Sequence, residues 1–168
     1  MRIGHLDGKN SVYDVEGQLI LDSDEVLLSR HIGVDLNVTK SWRTWFMNSV
    51  IETEAGSFSC FMTDKRLVFI RRPDQWKASA YLMTPYGAPG GIADSYRAKE
   101  IAEAGGYEYY EVGLEDIKHY KTYPNCVDIL VLSSDGVKHR ATVMNGGARP
   151  PIRRTLLRVL MANKIPPK

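Results

Sequence analysis

The chain has 168 residues, of which 43% are hydrophobic and 25% charged; 22 Lys and Arg against 20 Asp and Glu leave a net charge of +2. This is the balance of a folded globular chain, which excludes intrinsic disorder, collagen-like repeats and a coiled coil over most of the length. It also argues against a polycationic nucleic-acid surface, so no nucleic-acid partner is expected, and the length suits one domain over residues 1–168.

Residues 1–24 are a lead-in broken by Gly4, Gly8 and Gly17, read as extended or partly helical. Residues 25–34, rich in Val, Leu and Ile, make the first strand. Residues 37–41 read as a loop, residues 44–52 alternate loosely, and residues 54–57 supply a turn. Phe58, Cys60 and Met62 then recur at period two, which marks a strand. Residues 63–66 are short, polar and turn-compatible, and the apolar run 67–70 follows, so residues 57–71 form a hairpin.

Residues 72–106 lose this rhythm: Pro73, Pro85, Gly87, Pro89, Gly90 and Gly91 mark irregular chain. Within them residues 95–104 have helical spacing, with Ser95 placed to cap and Gly105 and Gly106 to terminate. Strands resume at 109–114, 117–123 and 126–132. An Asp-Gly turn at 133–136 leads into a returning strand at 137–144. Pro150 and Pro151 suit a helix start, and Ile152, Leu156, Val159 and Leu160 fall on one face of a helix over 152–163. The prediction is a mainly β fold with a C-terminal helix. About seven strands form a bent antiparallel sheet or partly open barrel, capped by the amphipathic helix and carrying a loop-plus-helix insertion at 72–106.

Residues 56–70, Gly-Ser-Phe-Ser-Cys-Phe-Met-Thr-Asp-Lys-Arg-Leu-Val-Phe-Ile, run as glycine, apolar strand, Thr-Asp-x-Arg-Leu, apolar strand. This pattern resembles the pleckstrin-homology-like (PH-like) superfamily, especially its GRAM and bacterial branches. The opening strand at 24–28 and the step from Leu114 to Ile117 are similar to further family features. The resemblance covers about residues 20–163 in pieces, and the 72–106 segment is longer than the family carries there. It implies a seven-stranded bent sheet capped by a helix. It also implies binding rather than catalysis, to phosphoinositides in some members and to protein partners in others.

Cys60 and Cys126 each lie in an apolar run and are too few for a disulfide framework, so the reading is two buried thiols in a reducing cytoplasm. The N-terminus has no apolar signal-peptide region, and the longest aliphatic run, residues 129–132, falls far short of the roughly 20 residues a span needs. A cytoplasmic chain, able to rest peripherally on a membrane, is expected. His5, His31, His119 and His139 have no ligand spacing and read as surface or cross-strand residues, so no metal and no cofactor is expected. Neither a nucleophile elbow nor a phosphate-cradling glycine motif occurs. The acidic pairs Glu108/Glu111 and Glu115/Asp116 read as solvated edges. No catalytic residue is assigned, and the chain is expected not to be an enzyme.

Three basic clusters remain. Lys40, Trp42 and Arg43 share the loop after the first strand and are candidates for an anionic lipid headgroup, with an ordinary charged hairpin loop as the plainer reading. Arg71, Arg72, Trp76, Tyr81, Met83 and Tyr86 have the composition of a contact surface, or of a segment folded back over a sheet edge. Six cations and no acid in residues 149–168 suit a helix C-terminus, or a weak contact with anionic membrane. The leading expectation is a binding module that uses a protein partner or self-association. The alternative is a peripheral membrane module using Lys40, Trp42 and Arg43. An enzyme with a site assembled from distant residues ranks third.

Overall fold

The computed structural model describes residues 2–6, 19–39, 54–71, 107–133, 136–145 and 151–168. Eight strands lie among them: β1 Arg2–Leu6, β2 Leu27–Thr39, β3 Glu54–Thr63, β4 Arg66–Arg71, β5 Tyr107–Gly113, β6 Ile117–Thr122, β7 Cys126–Leu132 and β8 Lys138–Met144. All neighbours pair antiparallel in one sheet of order β1-β5-β4-β3-β2-β8-β7-β6. The sheet is open, and one α-helix among the described residues, α1 Ile152–Ala162, follows it. The mainly β architecture with a terminal helix is therefore the one expected. The count rises to eight because the lead-in, read as extended or partly helical, contributes β1 beside β5. The predicted helix at 95–104 and the alternating stretch at 44–52 lie outside the described residues.

β2 organises the sheet. It pairs with β3 over most of its length, and over residues 35–39 it also pairs with β8. Residues 37–39, read as loop, are strand, and so are residues 54–57, read as turn. The hidden regularity is a bulge at Gly33, which takes φ +79 and sits unpaired between Ile32 opposite Ser59 and Val34 opposite Phe58. The extra residue restores parity, so that Val34, Leu36 and Val38 join the same core as Phe58, Cys60 and Met62.

That core takes Leu67, Phe69, Tyr110 and Val112 from β4 and β5, and Val127, Ile129, Val131, Ala141 and Val143 from β7 and β8. The stripe Ile152, Leu156, Val159 and Leu160 of α1 closes it. Burying such a side chain fully stabilises by roughly 1.5–3 kcal/mol, so four of them hold the helix in place. Asn145 Oδ1 accepts the Ile152 amide at 2.9 Å and caps the helix start. On the opposite face of β3 and β4, Phe61, Val68 and Ile70 form a smaller cluster with Leu19, and Tyr109 packs against it. The unbroken run 67–70 is thus a strand buried on both faces.

After α1 the chain turns sharply. Lys164 N donates to Met161 O and Ile165 N donates to Leu160 O, each at 3.0 Å, with Lys164 at φ +56. This is a Schellman motif, and it tucks Ile165 into the core beside Leu160. Residues 166–168 then run along β6. Tyr120 N donates to Pro166 O at 3.2 Å, and Lys168 N donates to Tyr120 O at 2.9 Å.

Candidate functional site

The turn that carries the family resemblance is densely bonded. Thr63 ends β3, Arg66 starts β4, and Asp64 and Lys65 make the connection. Thr63 Oγ1 accepts the amides of Lys65 at 3.1 Å and Arg66 at 2.9 Å, and donates to Glu25 Oε1 at 2.7 Å. Asp64 binds Val26 in both directions: Val26 N donates to Asp64 Oδ1 at 2.9 Å, and Asp64 N donates to Val26 O at 3.1 Å. Lys65 pairs with Asp24 at 2.5 Å, and its carbonyl accepts the Leu114 amide at 2.9 Å. One four-residue turn therefore holds the lead-in on one side and the end of β5 on the other.

Arg66 is the centre of this clasp. Its Nε and Nη2 grip the two oxygens of Glu25 at 2.7 Å each, Nη1 reaches Glu111 Oε1 at 2.8 Å, and Nη2 also reaches Ile20 O at 3.1 Å. The Glu25 side chain is wholly buried, and those of Arg66 and Glu111 are nearly so. Burial pushes the Glu25 carboxyl up, but hydrogen bonds from Arg66, Thr63 and the Asp22 amide outweigh it and hold the group at about 2. The Arg66 guanidinium is held further above its usual range, first by its hydrogen bond with Glu25. A guanidinium has five N–H donors, and here three of its nitrogens are committed to two carboxylates and a carbonyl. This arginine is a structural fastener and is not offered to an outside anion. Glu111, read as part of a solvated edge, is corrected to a member of the clasp with a largely buried side chain, because its partner lies 45 residues away.

A second polar group crosses the other half of the sheet. Register places Asn37, Thr142, Asp128 and Lys121 in one row over β2, β8, β7 and β6. Asp128 is 4% exposed, accepts Thr142 Oγ1 at 2.7 Å and is ion-paired with Arg140. Its two oxygens are engaged by a hydroxyl and a guanidinium. His31 and His139 are cross-strand residues, opposite Cys60 and Val131, and both are buried; His119, on β6, is half-buried. Burial, with Lys168 nearby, lowers the His119 pKa. Cys60 is buried as expected, and burial raises its thiol, whereas Cys126 is only half-buried. Among the described residues no group of three metal-ligating side chains comes together, and no helix is long and apolar enough to cross a membrane.

Of the candidate contact residues, Arg71 lies on β4, with its backbone opposite Glu108. Arg72, Trp76, Tyr81, Met83 and Tyr86 lie outside the described residues, as do Lys40, Trp42 and Arg43, which belong to the β2–β3 connection.

What the sequence reading missed is an exposed apolar stretch. Val26 is 57% exposed, Leu28 and Ile32 51% each, and Ile20, Leu21 and Leu27 about two fifths. Six of the eight large apolar residues exposed among the described residues thus fall within residues 20–32. Among the described residues β2 pairs here with β3 alone, because β8 joins only at Asp35. The signal was present in the runs 19–21 and 26–28, which hold more apolar residues than a period-two strand can bury on one face.

Comparison with family models, with curated proteins and with solved structures finds no match for this chain.

Proposed function

We propose that the chain is a non-enzymatic binding module of the PH-like, GRAM-like kind, working in the cytoplasm by protein contact, with self-association as its simplest form. One observation carries this reading: the concentration of exposed Ile, Leu and Val at residues 20–32, around a length of β2 that among the described residues has a strand on one side only. Exposed apolar side chains favour association because it removes them from water, and a one-sided strand can also accept a further strand. The Arg66 clasp supports the reading, since it fixes the lead-in and so keeps the stretch in one shape. A preformed surface associates at lower entropic cost than one that must order first.

Light scattering over a range of concentrations tests it. The chain is expected to form a dimer or larger species, and Leu28→Asp or Ile32→Asp is expected to return it to the monomer. A strict monomer at high concentration overturns the reading. If that monomer bound anionic vesicles in a salt-sensitive way, and the binding fell in Arg43→Ala, the headgroup reading through Lys40, Trp42 and Arg43 would take its place.

A further inference from the structure

The exposed apolar stretch at residues 20–32 carries opposite charges at its two ends. At the lead-in end Asp22 and Asp24 are exposed, and so is Asp64 beside them. The turn is fixed, because Asp22 N donates to Glu25 Oε2 and Glu25 N donates to Asp22 O, each at 3.0 Å. Asp64 is fastened to Val26 by its side chain and its amide. Lys65 sits among these carboxylates, and its pKa is held above the usual range, first by its hydrogen bond with Asp24. Three carboxylates against that one ammonium leave this end negative. The other end is positive. Arg30 follows Leu28 on β2, opposite Phe61 in register, and its guanidinium lies 5.3 Å from the centroid of the Phe61 ring. Its Nε is buried with no hydrogen-bond partner, and among the described residues no carboxylate pairs with it. A guanidinium stacked on a ring keeps its N–H edge for a planar acceptor such as a carboxylate. Arg30 is in this respect the reverse of Arg66. Between the two ends stand the exposed Val26, Leu27 and Leu28.

We propose that this face takes a second copy of the chain about a twofold axis beside Leu27, so that Arg30 of each copy pairs with Asp22 and Asp24 of the other across the packed Val26, Leu27 and Leu28. The occupant follows from the charge order. A partner surface of one sign, such as an anionic membrane, would satisfy one end of the stretch and be repelled by the other. The partner must carry both charges in the reverse order, and a twofold axis presents the same patch in that order. Asp24 and Arg30 lie three residues to either side of Leu27, and Val26 and Leu28 one residue to either side. The contact is made by side chains and needs no free strand edge. It rests on the self-association proposed above and deepens it by assigning the symmetry and the charge pairs.

The test is a charge swap read by sedimentation equilibrium and native mass spectrometry. Arg30→Asp faces the partner's acids with another acid, and Asp22→Lys/Asp24→Lys faces the partner's Arg30 with cations. Each variant alone is expected to associate roughly tenfold or more weakly than the parent, because attraction is replaced by like-charge repulsion at both symmetric positions. Mixed in equal amounts, the two are expected to form a heterodimer of near-parent affinity, since each then meets the opposite charge at both ends. Parent association should also weaken as salt rises. If the parent associates and Leu28→Asp abolishes this, but both charge variants associate like the parent, the twofold charge pairing is overturned while the association reading stands. If each variant is weakened and the mixture gains no heterodimer, the pairing is likewise overturned. A parent that stays monomeric overturns the association reading and this inference together. If Arg30→Asp does not fold, Asp22→Lys/Asp24→Lys decides, and parent-like association in that variant overturns the proposal.

Discussion

The two ends of the sheet's second half are finished in opposite ways. At β6 residues 166–168 form a proline strap that takes both backbone groups of Tyr120. At the N-terminal part of β2 and just before it, where β8 has not yet joined, Val26, Leu28 and Ile32 stand half or more exposed. Edges left open and apolar invite pairing, and edges closed with proline refuse it. One surface is therefore shaped to stay solitary and the other to be covered, and the Arg66 clasp holds the second in shape.

The strongest way to break this contrast is Arg66→Ala. It leaves the Glu25 carboxylate buried without its cation, and Glu111 without its partner. Removing one member of a buried ion pair typically costs about 3–5 kcal/mol, so chemical denaturation should show a loss of that order. Residues 20–26 should exchange their amides faster at the same time, because Ile20 O and Glu25 both lose their anchor. Self-association should weaken with them, although no surface apolar residue has changed. Retained association with a freed lead-in would show that the clasp does not shape the contact.

Acid reaches the same clasp without mutation. The Glu25 pKa is held at about 2 against an ordinary 4.5, so the folded state binds this proton less readily than the unfolded chain. The resulting stabilisation is complete above pH 4.5 and drains away as pH falls from there to about 2. A shift of this size is worth about 3 kcal/mol. Urea midpoints across that window should fall in the parent chain, and the drop attributable to Glu25 should be missing from Glu25→Gln, which starts less stable at neutral pH.

What could be read in the sequence depended on how far apart the cooperating residues lie. The β3–β4 hairpin was legible because Phe58, Cys60 and Met62 announce their face locally, and the α1 stripe because its four members sit within nine residues. The end of β2 was not. Val34, Leu36 and Val38 do alternate, but the bulge at Gly33 puts them out of step with His31, and Asn37 suggested a loop. Glu111 read as solvent-facing because Arg66 is brought to it only by the β4–β5 register. β1 was hidden for the same reason, since its partner strand starts at Tyr107. The motif residues Thr63, Asp64 and Arg66 were found by their pattern, but their role as a fastener appears only when the lead-in folds against them. Exposure of the 20–32 stretch was signalled only by the unbroken apolar runs 19–21 and 26–28, which exceed what one strand face can bury.

The smallest effect sharpens the contrast from the guarded side. Lys164 occupies the position of the Schellman motif where glycine is usual, at φ +56. Lys164→Gly relieves the steric cost of the left-handed conformation but adds freedom to the unfolded chain. The net gain should be about 0.5–1 kcal/mol, seen as a rise of roughly 1–4 °C in Tm for a domain of this size. Because the hinge then favours the strapped geometry, the Tyr120 and Lys168 amides should exchange more slowly, while association through β2 stays as it was. A fall in Tm would mean that the Lys164 side chain contributes more to holding the strap than its backbone costs, and the strain argument at Lys164 would have to be given up.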